Sequence, residues 1–367
     1  MKILHIIMGI GGGGRERRMG QLAIDLNVQN IAEQHILYFT DDNHNYQEIV
    51  NSGIELHLLK YNHRRELVAN ILKTIKQIRP NVIHVWTEVP IILLTISLAK
   101  MWYNFKLIVG FIADGNPVPH LYSRLALKYA YKQADAIVSN SYAGLRAKNA
   151  IQYSKSKVIY NGFDFKRLTF NFIDKEQYRN ELGINNTYLV CMVARITPAK
   201  NWDMFLNVAE GISKIRKDII FLAIGDGPLL PAYKEKCSKR SIPNIKFLGY
   251  RSDVEKLIQL SHISLLFTNN QVHAEGVSNT IMETMAAKRP IIATAGGGTA
   301  EIIENGKNGY IIAPNDIKNA IQILLYLIDN PEEREKISEA AYATICSKFQ
   351  LQDKTKEYIN LYNSLFQ

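Results

Sequence analysis

A chain of 367 residues with 47% hydrophobic and 21% charged residues is long enough for two domains of ordinary size and too apolar to stay disordered. Its three cysteines, Cys191, Cys237 and Cys346, are far apart, odd in number and form no CxxC pair. This excludes a disulfide framework and a cysteine metal site, and fits a reducing compartment. The net charge of +10 is uneven: residues 1–170 hold 21 Lys+Arg against 12 Asp+Glu, whereas residues 171–367 hold 23 against 22.

The start, MKILHIIMGI, reads as a first strand over 2–8 and not as a signal peptide, because glycines and then Arg15, Arg17 and Arg18 interrupt a short apolar run. Gly11 to Gly14 follow, then a helix near 15–27. Without Cβ atoms this turn lets backbone approach a ligand closely, as in phosphate-binding turns between strand and helix; the other reading is a flexible surface turn. Strands are expected over 35–39, 54–59, 82–86, 105–112, 135–139 and 157–160, with helices near 64–78 and 118–133. In the helix near 64–78, Leu67, Ile71, Ile75 and Ile78 would face a core, and Arg64, Arg65, Lys73, Lys76 and Arg79 would decorate the outside. The apolar run 89–99 has about eleven residues, too few to span a bilayer, which needs about 20. After the Asn161-Gly162 turn comes a polar stretch with a helical piece at 174–184; a second run of βαβ units follows from 188, and a last helix lies near 351–366. The alternation predicts two α/β domains with parallel sheets: residues 1–168, a linker over 169–187, residues 188–348, and a terminal helix within 349–367.

Chemistry concentrates in HAEGVSNTIMETMAAKRP, residues 273–290. Ser278 or Asn279 can cap a short helix whose Ile281, Met282, Met285 and Ala286 face a core. A helix start offers unpaired N–H groups and a positive dipole end. Flanked by Glu275 and Glu283, such a cradle suits a ligand both phosphorylated and rich in hydroxyls. The alternative is a capped helix with one solvated glutamate.

Around this segment lie strand 188–194 with Arg195-Ile196-Thr197-Pro198-Ala199-Lys200-Asn201, then FLAIGDGP (221–228), IKFLGYRSDV (245–254) and PIIATAGGGTAEIIENGKNGYII (290–312). In this order and spacing the set resembles the retaining glycosyltransferases of GT-B fold, family 4, over nearly the whole chain. GGRER (13–17) resembles the family's GG-x-E-R and NGFD (161–164) its NGVD; Ala194 stands where glycine is usual. The resemblance implies two Rossmann-like domains facing across a cleft, with the C-terminal helix returning to the first.

It also implies roles. Arg195 and Lys200 would neutralise the donor diphosphate. Glu283 would hold the ribose hydroxyls, and Glu275 would contact the sugar and stabilise an oxocarbenium-like transition state. Backbone of Gly276, Val277, Ser278, Asn279 and Thr280 would bind sugar hydroxyls and phosphate. Tyr250 and Arg251 would read the base, and Gly225, with Gly227, would permit close approach. Gly12, Gly13, Gly14, Arg15 and Arg17 would form a phosphate or acceptor loop. Where many relatives carry a histidine facing the sugar, this chain has VGFIADG (109–115), with Asp114 in the neighbourhood; His84 and His120 read as core or surface residues.

No DxD pair stands near a strand end, and Asp41-Asp42 has no phosphate loop beside it, so neither metal nor cofactor is expected. The implied activity is transfer of a hexose or N-acetylhexosamine from a nucleotide-sugar, UDP favoured, to a lipid-linked or glycan acceptor in surface polysaccharide synthesis. An epimerase, a phosphorylase and a non-catalytic binding module are the competing readings. Arg124, Lys128 and Lys132 fall on one helix face and, with the basic first half, suggest an anionic membrane surface as partner, hence a peripheral place on the inner face of the cytoplasmic membrane. The other reading is a solvated face. Nucleic acid is not expected, as zinc spacings and RNA-recognition motifs are absent from the sequence. The expected state is a monomer or weak dimer.

Overall fold

The computed structural model describes residues 1–11, 14–40, 47–112, 116–168, 172–184 and 187–367. Gly12, Gly13, Asp41, Asp42 and Asp114 lie outside them. The chain forms two compact units, residues 1–162 with 351–367, and residues 163–350.

In the first unit, seven parallel strands, β1 (Lys2–Ile6), β2 (Glu33–Tyr38), β3 (Glu55–Leu58), β4 (Val82–Val85), β5 (Lys106–Ile112), β6 (Ala136–Ser139) and β7 (Ser156–Val158), lie in the order β3-β2-β1-β4-β5-β6-β7. Strands such as KILHI and VIHV are apolar on both faces because helices cover both. Leu4 and Ile6 point into one core cluster, with Leu67, Ile71, Ile75 and Ile78 of helix Arg64–Ile78; Ile3 enters the other, with Tyr358, Leu361 and Tyr362 of the last helix, Leu351–Ser364. The apolar run near 89–99 is a ten-residue buried helix, Pro90–Ala99, and no described helix is long and apolar enough to cross a membrane. His84 is a core residue: it is fully buried, stacks on Trp86 and bonds the Tyr362 hydroxyl through Nδ1 at 2.9 Å, and burial pushes it well below the usual imidazole range. His120 is exposed at the start of helix Leu121–Gln133.

The second unit holds β8 (Tyr188–Val193), β9 (Ile219–Ile224), β10 (Ile245–Gly249), β11 (Ile263–Leu266), β12 (Ile291–Thr294) and β13 (Tyr310–Ile312), all parallel, in the order β10-β9-β8-β11-β12-β13. This is the 3-2-1-4-5-6 order of a dinucleotide-type sheet. The described part of the segment expected as a linker, residues 172–184 and 187, falls in this unit. Leu168, Tyr178, Leu182 and Ile184 pack with Leu189, Leu222 and Leu257, so the polar composition of the segment reflects only its outer face. The unit accordingly begins at Phe163, whose N–H donates to the Phe349 carbonyl at 2.7 Å, instead of at 188.

Candidate functional site

In an open parallel sheet, ligands bind where the strand order reverses, outside the carboxyl ends of the two strands involved. In the second unit these strands are β8 and β11. The loop after β8 carries Arg195 and Lys200; the loop after β11 carries Glu275. The sheet topology thus brings three of the residues the motifs singled out onto the two loops at this switch point.

Local packing fixes their geometry. Beyond β11, backbone at 200 and 268 forms an antiparallel bridge; Asn201 N–H donates to Phe267 O at 2.9 Å and Asn269 N–H to Ala199 O at 3.0 Å. Asn201 then caps helix Trp202–Ile215 by accepting from Met204 N–H at 3.0 Å. Lys200, held between these anchors, forms an ion pair with Glu275 Oε1. Both side chains are mostly buried, 16% and 14% exposed, which makes the pair far less screened than a surface salt bridge. Burial pulls the Lys200 ammonium down to about 8, so with Glu275 in contact it is still charged at neutral pH. His273 Nε2 lies 3.9 Å from the same carboxylate oxygen. Arg195 is exposed and its side chain pairs with no carboxylate among the described residues.

Helix Asn279–Ala286 follows Glu275 in the same loop. Ser278 occupies the N-cap position but makes no side-chain cap bond; Thr280 instead ties the first turn to β8 through Oγ1 to Val193 O at 3.1 Å. Ile281, Met282, Met285 and Ala286 are buried as their spacing predicts, and so are Gly276, Val277 and Ser278 in the loop before the helix. Neither glutamate is solvated, which removes the plain capped-helix reading. Glu283 is 6% exposed, and its Oε1 accepts from Arg167 Nη2 at 3.3 Å. The same Arg167 nitrogen pairs with Glu255. Sequence reasoning missed Arg167 and Glu255, since Arg167 was placed at the end of the first domain and 116 residues separate it from Glu283.

The glycines serve the backbone. A Cβ on Gly225 would stand 2.0 Å from the Ala194 carbonyl oxygen, and one on Gly227 2.4 Å from that of Ile196. Gly225 therefore admits the end of β8, where Ile196 N–H donates to Asp226 O at 2.8 Å, and need not be explained by a ligand. In AGGG (295–298), Gly297 has a left-handed φ of 53° and a Cβ there would meet the Glu275 carbonyl oxygen at 1.8 Å; Gly298 N–H donates to that oxygen at 2.7 Å. These glycines seat the backbone of Glu275. Gly297→Ala is expected to cost about 2–4 kcal/mol, through the clash plus the left-handed conformation, and to lower the melting temperature measurably. An unchanged melting temperature would show that the loop can retreat freely.

Other expected residues lie further off. Tyr250, 75% exposed, and Arg251 follow β10, two strands or about 10 Å from β8. Arg251 is engaged with Asp253, at 2.8 and 2.6 Å, and with the Tyr178 hydroxyl. In the first unit the order reverses between β1 and β4, where Gly14 opens helix Gly14–Val28. There Arg15 Nη1 donates to Trp86 O at 3.2 Å and Arg17 is half-buried. Arg18, not singled out from sequence, is buried and bonds Gln21 Oε1 at 2.9 Å and the Gly162 carbonyl.

Three comparisons bear on this arrangement. Residues 12–167 match the model of Glycosyltransferase Family 4 and residues 174–344 that of Glycosyl transferases group 1. An uncharacterised glycosyltransferase of Methanocaldococcus jannaschii is 23% identical over 256 residues, 68% of this chain and 64% of the relative. The poly(ribitol-phosphate) alpha-N-acetylglucosaminyltransferase of Staphylococcus aureus is 26% identical over 178 residues, 48% of this chain and 35% of the relative. The chain thus spans about a third to two thirds of the length of these curated relatives. The crystal structure of Anabaena HepE in complex with UDP shares the fold at a TM-score of 0.86 and 20% identity, covering 99% of this chain and 100% of that one.

Proposed function

Since the chain belongs to the GT-B glycosyltransferases that these two family models describe, we propose that it transfers a hexose or N-acetylhexosamine from a UDP-sugar to a glycan or lipid-linked acceptor, with retention of anomeric configuration. The observation that carries this reading is the convergence of Lys200, Glu275 and the start of helix Asn279–Ala286 outside β8 and β11. An ammonium beside a helix N-terminus suits the charge that develops on a departing diphosphate. A carboxylate next to it suits a sugar that becomes positive as the glycosidic bond breaks. Glu283, aligned by Arg167, is suited to a ribose diol. Arg195 supplies a second cation for the diphosphate. Two cationic side chains and a helix dipole allow the reaction to run without a metal ion. The UDP preference is supported by the UDP held by the HepE structure of the same fold. The acceptor class is supported by the poly(ribitol-phosphate) enzyme among the relatives. Incubation with UDP-, GDP- and ADP-sugars in chelator tests the reading: release of one nucleoside diphosphate from one sugar supports it, and inertness toward all of them refutes it.

For the acceptor side we propose a peripheral membrane contact through helix Leu121–Gln133. Its inner face buries Ala126, Leu127, Ala130 and Tyr131, while Leu121, Tyr122 and Leu125 are exposed in line with Arg124, Lys128 and Lys132. Apolar side chains beside cations suit an anionic lipid surface, where each Lys or Arg contributes about 1 kcal/mol. Vesicles containing phosphatidylglycerol should sediment the protein and phosphatidylcholine vesicles should not. Lys128→Glu/Lys132→Glu should abolish the difference; equal sedimentation of wild type and variant would refute this surface.

A further inference from the structure

The edge of the first unit's sheet brings together three metal-ligating side chains that the transferase reading does not use. In the β2–β3 register His35 pairs with Glu55 and Leu37 with His57, so His35, Glu55 and His57 share one face. His35 Nδ1 lies 3.2 Å from His57 Nε2 and 3.2 Å from Glu55 Oε2, and His57 Nε2 lies 3.7 Å from Glu55 Oε2. Ligands bound tetrahedrally at about 2.0–2.1 Å stand about 3.4 Å from one another, so the three atoms are spaced as three corners of such a site.

The surroundings also fit. His35 is 3% exposed, and its other ring nitrogen, Nε2, is 3.0 Å from Glu33 Oε1. A carboxylate accepting from Nε2–H fixes the tautomer that leaves Nδ1 as a lone-pair donor, the outer-shell arrangement of metal-bound histidines. Lys2 Nζ holds the same Glu33 oxygen at 3.0 Å. His57 Nε2 faces His35 Nδ1 and Glu55 Oε2 and becomes a lone-pair donor when its proton sits on Nδ1. Glu55 is exposed and His57 half-buried, which leaves the cluster open to solvent on one side.

We propose that His35, His57 and Glu55 form a binding site for a divalent transition-metal cation of the zinc class, which pins the edge strand β3 to β2. Two imidazoles and one carboxylate select zinc, cobalt or nickel over magnesium and calcium. Glu33 and Glu55 open their strands, so the site lies at the amino ends of β2 and β3, whereas the glycine turn follows the carboxyl end of β1. Its role is therefore structural, and it leaves the expectation of metal-independent transfer untouched. Nothing in the order of the sequence announces it, since the histidines are 22 residues apart and only strand register unites them.

Titration of the chelator-treated full chain with Zn²⁺ by calorimetry should show one equivalent that excess Mg²⁺ does not displace. Co²⁺ in its place should give the visible absorption of a four-coordinate ion. His57→Asn should lose both signals, Glu33→Gln should weaken binding by about tenfold or more, and Zn²⁺ should raise the melting temperature of wild type but not of His57→Asn. Both substitutions fall at partly exposed positions, and circular dichroism confirms that each variant is folded. No binding to wild type, or an equivalent retained in folded His57→Asn, would overturn the proposal.

Discussion

Replacing Glu275 by Ala is expected to lower turnover by about a hundredfold to a thousandfold while changing nucleoside diphosphate affinity by much less. On the proposed role the carboxylate would do its main work when the sugar is positively charged, only in the transition state, so its loss would fall on kcat and not on ground-state binding. Its seat is rigid: the Glu275 carbonyl is held by Gly298 N–H at 2.7 Å and its side chain by Lys200. Glu275→Gln, which keeps shape and removes charge, should behave nearly as Ala does. If the Gln variant retained turnover, Glu275 would be a structural partner of Lys200 and nothing more. The comparison belongs at slightly acidic pH, because without Glu275 the buried ammonium loses its partner and titrates lower still.

Lys200→Ala is expected to weaken nucleoside diphosphate binding by about tenfold to a hundredfold, the equivalent of one charge-assisted contact. The variant also leaves Glu275, 14% exposed, unneutralised beside an incoming dianion. Lys200→Ala/Glu275→Gln should therefore bind the diphosphate better than Lys200→Ala alone, a coupling that a double-mutant cycle reads directly. The pH dependence follows from the same residue. On the proposed role its charged form would bind the anion, and its pKa is lowered to about 8, so affinity should be full well below pH 8 and fall as pH rises through it. Lys200→Arg, charged throughout, should flatten that decline. A wild-type affinity that holds constant to pH 9 would remove Lys200 from the diphosphate site.

Much of this architecture was legible before any coordinates. Helix 64–78 matches Arg64–Ile78 because its apolar positions recur at helical spacing and leave one stripe to bury. The parallel strands read as short apolar runs because both faces of each sheet are covered. The glutamates, Arg195 and Lys200 stood out as ordered motifs. What stayed hidden depends on register and on distant partners. Arg167 reaches Glu283 and Glu255 across a long sequence interval. The contact between Lys200 and Glu275 needs the strand order to place two loops side by side. Gly225 was recognisable as special, but the close neighbour there is a backbone carbonyl; Gly297, which meets the Glu275 carbonyl, was not singled out. Segment 169–187 looked like a linker because its polar residues outnumber the few, Tyr178, Leu182 and Ile184, that dock it.

The central claim is that the loops after β8 and β11 hold a nucleoside diphosphate. Calorimetric titration of UDP in chelator, on wild type, Lys200→Ala and Arg251→Ala at neutral pH, tests it most directly. The account predicts binding to wild type, a loss of about tenfold or more in Lys200→Ala, and a smaller change in Arg251→Ala, whose guanidinium is already engaged by Asp253. Equal binding to wild type and Lys200→Ala, or no binding of UDP to wild type at all, would contradict it.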